Sequence, residues 1–244
     1  MKIDVTFDFT TDTPRYWEGF WDDEILGKSV MDPDKESKTL QTYHKNLWSK
    51  VLPNGEIMSL NIENKINYLS WKNFRFGSDS IIVSFRYKRY RKMLEEVANN
   101  ISDYQSFIEN YVHKSYTIGG SIIFPKENSI NKARGISSYI RDRWDLTLEC
   151  IRRYYNNENS PLYQTLLKNK DFFDLFVDFK GYVNFFYLQD CVTPDYQSVI
   201  FWIGDGDFSK NPLPKTVDEY LTWIDKELEF VSKRNKRIEV AMQD

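Results

Sequence analysis

One amphipathic segment, residues 140–155, constrains the fold more than any other part of this chain. At about 100° of rotation per residue, one arc of the predicted helix is apolar. The opposite arc carries most of the charges, namely Arg141, Asp142, Asp145, Glu149, Arg152 and Arg153. Arg143 breaks this pattern, because it falls on the apolar arc between Cys150 and Tyr154. A charge that faces a core must be paired or must serve a site, so Arg143 is the strongest functional lead.

The elements around this helix predict an α+β fold with strands mainly in the N-terminal half and a mostly helical C-terminal half. Alternating apolar residues predict strands over 3–9, 57–62, 66–71, 80–85, 116–124 and 196–203. Helical patterns cover 38–50, 89–99, 103–113 and 136–156, and an almost wholly apolar run covers 172–192. Residues 27–37 are interpreted as a loop, and Thr216 with Glu219 predicts a capping box for a final helix that ends near Ile238. The length of 244 residues fits one domain over 1–244.

Composition narrows the classes of function. The net charge of -3 argues against a generic polyanion-binding protein, which usually carries a basic excess. Cys150 and Cys191 lie in apolar segments, which favours free thiols in a reducing compartment. No signal peptide or membrane-spanning run is evident in the sequence. We therefore expect a cytoplasmic protein without a membrane partner.

Three basic residues form the leading hypothesis for a ligand site. Arg143 either pairs with Asp190 inside the apolar run or presents its guanidinium to an anionic ligand, with Arg134 beside it and Lys50 nearby. The expected ligand is a nucleotide or a nucleic-acid fragment. A second basic cluster, residues 86–92, is interleaved with tyrosines, but a solvated charged start of a helix is the preferred interpretation.

A row of carboxylates supports an alternative, metal-dependent phosphoester hydrolysis. Asp142, Asp145 and Glu149 have i, i+3, i+7 spacing, which places them on one face of a helix, where they could ligate Mg²⁺. His44 and Glu149 would then be the acid–base candidates. The preferred interpretation of the row is a charged face paired with Arg141, Arg152 and Arg153, so no cofactor is evident.

Two further features keep other classes of function open. Aromatic residues make up 16% of the chain, and if some of them are exposed they would suit a protein-interaction module. Gly119-Gly120 inside a predicted strand marks a close approach, for which packing or a bulge is a better explanation than a ligand.

Several long sequence motifs occur together in this chain. They include His44 to Gly55, Thr117 to Pro125, Ala133 to Gly135, Asp142 to Tyr155, Ser160 to Leu162, Phe185 to Asp190 and Arg234 to Ile238. Together they resemble a family of uncharacterised bacterial proteins with no assigned activity. The resemblance covers nearly the whole chain and implies a bacterial or phage source, but it supplies no catalytic residues.

Overall fold

The computed structural model describes residues 3–20, 32–63, 68–82, 91–127 and 129–243. The helices are α1 Tyr16–Phe20, α2 Pro33–Glu36, α3 Lys38–Trp48, α4 Arg91–Ala98, α5 Tyr104–Ser115, α6 Ile130–Ile136, α7 Trp144–Tyr155, α8 Tyr163–Lys168, α9 Lys170–Asp174, α10 Phe179–Phe185 and α11 Val217–Ala241. The strands are β1 Asn61–Glu63, β2 Tyr68–Trp71, β3 Phe74–Ser80 and β4 Ser121–Pro125. The α+β fold is confirmed, since the sheet lies before residue 126 and helices follow it.

The four strands form one antiparallel sheet in the order β1-β2-β3-β4. A tight turn joins β2 to β3, with Trp71 opposite Phe74, and Lys72 in this turn has a φ of 51°. In the longest pairing, Ser80 of β3 lies opposite Ser121 of β4. This register brings the polar end of β3 next to helix α6, which follows β4 along the chain.

The glycine pair precedes β4 instead of lying inside a strand. Residues Ile118–Gly120 form a 3-10 turn, and the strand predicted from residue 116 begins at Ser121. A Cβ on Gly119 would lie 2.5 Å from the carbonyl oxygen of Val231 in α11. A Cβ on Gly120 would lie 1.9 Å from the carbonyl oxygen of Ser115 in α5. The close approach expected at these glycines is therefore packing, of Gly119 against the final helix and of Gly120 against α5.

The strands predicted over 3–9 and 196–203 are wrong. The one predicted over 80–85 overlaps β3 only at Ser80, and its residues 83–85 lie outside the described residues. Over residues 3–9 the side chains of Asp4 and Asp8 accept hydrogen bonds from the backbone N–H groups of Thr6 and Thr10, which produces turns. The segment predicted as a strand over 196–203 contributes only an isolated bridge between Val192 and Val199. Over 3–9 the buried residues Ile3, Val5 and Phe9 keep the alternating positions, whereas over 196–203 the buried residues Val199 and Trp202 are three apart and do not alternate.

Aromatic rings fill the core beneath the sheet. The apolar run over 172–192 is divided into α9, α10 and a 3-10 turn at Gln189–Cys191. Its rings contact one another with centroid separations of 5.0 to 5.2 Å, as in Phe172–Phe176, Phe176–Tyr182 and Phe185–Phe186. Edge-to-face pairs of this kind add about 0.5–1.5 kcal/mol each to the area that they bury.

The helix boundaries agree with the sequence where a cap defines them. Helix α3 begins after Ser37, whose hydroxyl accepts from the N–H of Leu40 at 3.0 Å. Helix α11 begins after Thr216, which accepts from the N–H of Glu219 at 3.1 Å, as the capping box predicts. Of the basic cluster over 86–92, residues 86–90 lie outside the described residues, and Arg91 begins α4. Among the helices of the described ranges, none is long and apolar enough to cross a bilayer.

Candidate functional site

A cavity that we name the Asp34 cleft opens beside the sheet and has a volume of about 700 Å³. Its walls come from α2, from the polar end of β3 and from the segment around α6. The side chains that carry its chemistry are Asp32, Asp34, Ser78, Asp79, Ser80, Lys35, Lys126, Lys132 and Asp142. A cavity of this size suits a small organic ligand.

Local sequence explains how Asp34 reaches the cleft. Asp32 precedes α2, and its side chain accepts from the N–H of Asp34 at 3.2 Å, while Pro33 occupies the first helical position. The short helix corrects the loop interpretation for this stretch. It directs the Asp34 carboxyl to β3, where the hydroxyls of Ser78 and Ser80 donate to it at 2.5 and 2.7 Å.

The Asp34 carboxyl titrates near neutrality. Burial raises its pKa from about 3.8 to about 7, and the neighbouring Asp32 carboxylate contributes to the rise, while the hydrogen bonds from the two serines oppose it. A carboxyl group with such a pKa exchanges protons readily at physiological pH. The cleft therefore contains an acid–base group that the sequence analysis did not select.

His44 lies behind Ser78 and is a hydrogen-bond donor. The indole N–H of Trp48 donates to Nδ1 of His44 at 3.0 Å, so the ring proton resides on Nε2. That Nε2 lies 2.9 Å from the Ser78 hydroxyl and donates to it, and Ser78 in turn donates to Asp34. Burial, followed by repulsion from Arg234, lowers the pKa of His44 to about 3. The neutral ring in this tautomer orients Ser78 and does not remove its proton.

Arg134 supports the cleft wall from inside the protein. Its guanidinium is fully buried, with Nε donating to Thr147 Oγ1 at 3.0 Å and Nη1 forming an ion pair with Asp79. Nη2 lies 3.5 Å from a carboxylate oxygen of Asp142. Burial raises the pKa of Asp79 to about 8, although the charge of Arg134 opposes the rise. One guanidinium thus compensates two carboxyl groups of the cleft.

The backbone beside Asp142 is strained. Arg141 and Asp142 are consecutive non-glycine residues with positive φ values of 47° and 66°. Each such conformation costs on the order of 1 kcal/mol and persists when surrounding contacts hold it. In this protein the Asp142 carbonyl accepts from Arg134 at 3.4 Å, so the contact with the arginine helps to hold the strained backbone.

Arg143 has a different setting from the one predicted. Helix α7 starts at Trp144, so Arg143 is the cap residue before it, and its guanidinium binds the Asp145 carboxylate through Nε at 3.0 Å and Nη2 at 2.5 Å. It also donates to the carbonyls of Pro212 and Ile203 at 2.8 and 2.7 Å. The predicted pairing with Asp190 is wrong, because Asp190 forms its ion pair with Arg237. Arg143 borders a separate cavity of only about 90 Å³.

The carboxylate row does not gather into a metal centre. Asp145 is engaged by Arg143, which the charged-face interpretation did not include, whereas Glu149 is held by Arg152 at 2.8 Å and by Arg153 at 2.7 Å, as that interpretation predicts. Both acids are buried, so this part of the charged face is not exposed to solvent. Within the described ranges, no group of three or more His, Cys, Asp or Glu residues is arranged to hold a metal ion.

Lys50 lies apart from the Asp34 cleft. Its ammonium donates to the Phe185 carbonyl at 2.9 Å and faces the rings of Trp48, Phe185 and Tyr187. The three basic candidates, Lys50, Arg134 and Arg143, are therefore distributed over three separate environments. Sequence reasoning missed Asp34, Ser78 and Asp79, although Asp32-Pro33 as a helix start and the polar triplet 78–80 next to an apolar strand were visible signals.

Comparison with known protein families matches residues 3–238 to the family of unknown function DUF6994. The chain belongs to this family. The match confirms the resemblance to an uncharacterised family and extends over the cleft, α7 and most of α11. No curated protein and no solved structure matches the chain. The family supplies no activity, so any function must be argued from the site.

Proposed function

We propose that the Asp34 cleft binds a small zwitterionic molecule, with an amine directed to Asp34 and an acidic group directed to the lysines at the rim. The observation that carries this proposal is the Asp34 carboxyl, held by two serine hydroxyls inside a cavity of about 700 Å³. A ligand ammonium would favour the ionised carboxylate and relieve its repulsion with Asp32 and Asp79.

The rim supports the acidic end of the ligand. Lys35 and Lys132 are exposed beside the cleft, and Lys126 is half-buried there with its ammonium 4.5 Å from the centroid of the Tyr68 ring. These lysines support the predicted anionic character of the ligand. They are not the basic residues Lys50, Arg134 and Arg143 that the sequence suggested. Arg134 acts indirectly, because its guanidinium is occupied by Asp79, Asp142 and Thr147.

A second candidate function, proton transfer on the bound ligand, follows from the same carboxyl. A general base is most effective when its pKa lies near the working pH, and the pKa of Asp34 is raised to about 7. The hydrolase alternative has less support, because Asp145 and Glu149 are bound by arginines.

We further infer a bacterial or phage source and a cytoplasmic setting, which suits two free, buried cysteines. That residues 1–244 form a single domain, and that the protein acts as an interaction module, remain predictions.

The test uses a matched pair of probes that differ in one charge. Glucosamine 6-phosphate carries an amine and a phosphate, N-acetylglucosamine 6-phosphate carries only the phosphate, and AMP serves as a nucleotide. By calorimetry we expect the amine to bind at least tenfold more tightly than its acetylated counterpart. The preference should increase from pH 5.5 to pH 7, a range in which the sugar amine stays protonated, and protons should be released on binding as Asp34 ionises.

Asp34→Asn should abolish the preference for the amine, whereas Asp195→Asn, on an exposed turn, is the matched control and should leave it unchanged. Equal affinity for the two sugars, or absence of binding by both, would overturn the proposal that the cleft binds a zwitterionic molecule. Binding of AMP that weakens as the pH rises would instead favour the nucleotide prediction.

A further inference from the structure

Lys50 occupies an aromatic cage that lies outside the Asp34 cleft, although one of its rings, Trp48, donates to His44 behind Ser78. The cage consists of the rings of Trp48, Phe185 and Tyr187, whose centroids lie 5.2, 4.5 and 4.0 Å from the Lys50 nitrogen. A fourth contact is the hydrogen bond of 2.9 Å to the Phe185 carbonyl. The side chain is half-buried, so solvent retains access to it.

The charge of Lys50 is poorly compensated. Among the residues that the structure describes, its amine forms no ion pair with a carboxylate, and the contacts of the cage are π faces and one carbonyl. Arg234 lies beside the same indole, 5.9 Å from the Trp48 centroid, and donates to the adjacent Phe186 carbonyl at 3.0 Å. Two cations thus share the C-terminal end of α10, where helix carbonyls attract positive charge.

This arrangement makes the Lys50 ammonium lose its proton more easily. Burial, followed by repulsion from Arg234, lowers the pKa of Lys50 from about 10.5 to about 7. A lysine in such surroundings is substantially neutral at physiological pH and carries a nucleophilic lone pair. The cation–π contacts alone would act in the opposite direction, since they favour the ammonium form.

We propose that Lys50 is a nucleophilic amine that captures small aldehydes as an imine inside this aromatic cage. The nitrogen lone pair adds to the carbonyl carbon, and proton transfer gives a carbinolamine. Loss of the hydroxyl group together with a proton from nitrogen then releases one water and leaves a C=N bond. No oxidant or reductant is consumed in these steps.

The cage favours this chemistry over acylation. A protonated imine remains a cation, so it retains the attraction of the three ring faces that the ammonium had. An amide formed by acylation is neutral and would lose those contacts. The aromatic walls therefore favour the carbonyl class among the electrophiles that react with amines.

Reductive trapping on the intact protein tests the proposal. The protein is treated at pH 7 with propanal below stoichiometry and sodium cyanoborohydride, and the alkylated lysines are located by peptide mass spectrometry. Lys72 is the internal comparator, because its ammonium also lies near an indole, 4.7 Å from the Trp71 centroid, but it is exposed and paired with Glu56. We expect Lys50 to be alkylated at least tenfold more than Lys72.

The pH profile supplies the second readout. Alkylation of Lys50 should rise with a midpoint near pH 7, while that of Lys72 should still be rising above pH 9. Lys50→Arg should remove the early-labelled site, and Lys72→Arg should leave it intact. Labelling in proportion to exposure, or a Lys50 profile that matches that of Lys72, would overturn the proposal without affecting the Asp34 cleft.

Discussion

Two arginines of this protein are equally buried but are compensated in opposite ways. Arg134 and Arg234 both have 0% exposure. Arg134 binds the carboxyl groups of Asp79 and Asp142, which border the cleft. Arg234 donates to three backbone carbonyls, those of Phe186, Gly119 and Ser121.

The difference shows how charge compensation determines what a buried cation can influence. Carboxyl groups titrate, so the surroundings of Arg134 depend on pH and on whatever enters the cleft. Carbonyls do not titrate, so the groups that Arg234 binds keep their charge state at every pH, and its charge, which no carboxylate in these contacts neutralises, acts on its neighbours. It lowers the pKa of His44 and of Lys50, and burial lowers its own pKa to about 10.

The largest effect is expected from Arg134→Met. The substitution removes the cation from the half-buried carboxyl groups of Asp79 and Asp142, whose side chains are each 18% exposed. This should lower the free energy of unfolding by about 3 kcal/mol at pH 8. In this variant both carboxyls would hold protons more tightly when folded than when unfolded, so the loss should shrink as the pH falls to 5. Urea denaturation at the two pH values measures this, and an equal loss at both would contradict the role of the carboxyls.

A smaller effect is expected from Arg234→Met. Three buried carbonyls lose a donor, which should cost about 1–3 kcal/mol in the free energy of unfolding at pH 8. The cost should be smaller at pH 5, where Lys50 is charged and its repulsion with Arg234 is relieved. The pKa of Lys50 should rise toward its ordinary value, because the repelling charge is gone. Titration of the ¹³Cε methylene signals of the lysines by NMR would detect the rise, and an unchanged Lys50 would exclude Arg234 as a cause.

The smallest effect is expected from Asp34→Asn, which should stabilise the protein. The folded pKa of Asp34 is about 7 and its ordinary value is about 3.8, so the folded state binds more protons between these values. The stability contributed by this group is full below about pH 4 and is lost as the pH rises through 7. Because asparagine does not ionise, the variant should avoid a loss of roughly 4 kcal/mol across that window. Asparagine cannot accept both serine hydrogen bonds as the carboxylate does, which offsets part of this and leaves a net gain of about 1–2 kcal/mol at pH 8. Thermal unfolding of both proteins at several pH values measures this gain. A gain found only at pH 4 would contradict a raised pKa of Asp34 in the folded state.

Sequence reasoning succeeded where the determinants are local. The caps at Ser37 and Thr216 define helix starts through hydrogen bonds that span three residues. The pairs of Glu149 with Arg152 and Arg153 likewise follow from helical spacing. These features belong to single helices, so a pattern of residue types is sufficient to predict them.

The candidate site depends on contacts between distant parts of the chain. Asp34 and Ser78 are 44 residues apart, and Arg134 and Asp79 are 55 apart, so no spacing rule connects them. The partner of Arg143 was missed because α7 begins only at Trp144, after two residues with positive φ. That late start places Arg143 beside Asp145, two residues away, instead of on the helix face that suggested Asp190.

The contacts of Arg234 with Gly119 and Ser121 also affect how the protein is made. In the described sheet β4 is an edge strand, and its free edge invites pairing with another chain. Arg234 donates to the Ser121 carbonyl from 113 residues further along the chain. On a ribosome, the sheet is therefore complete well before its protecting side chain is synthesised. We expect nascent or truncated chains that lack α11 to self-associate through β4, and the full chain to be protected once that helix docks.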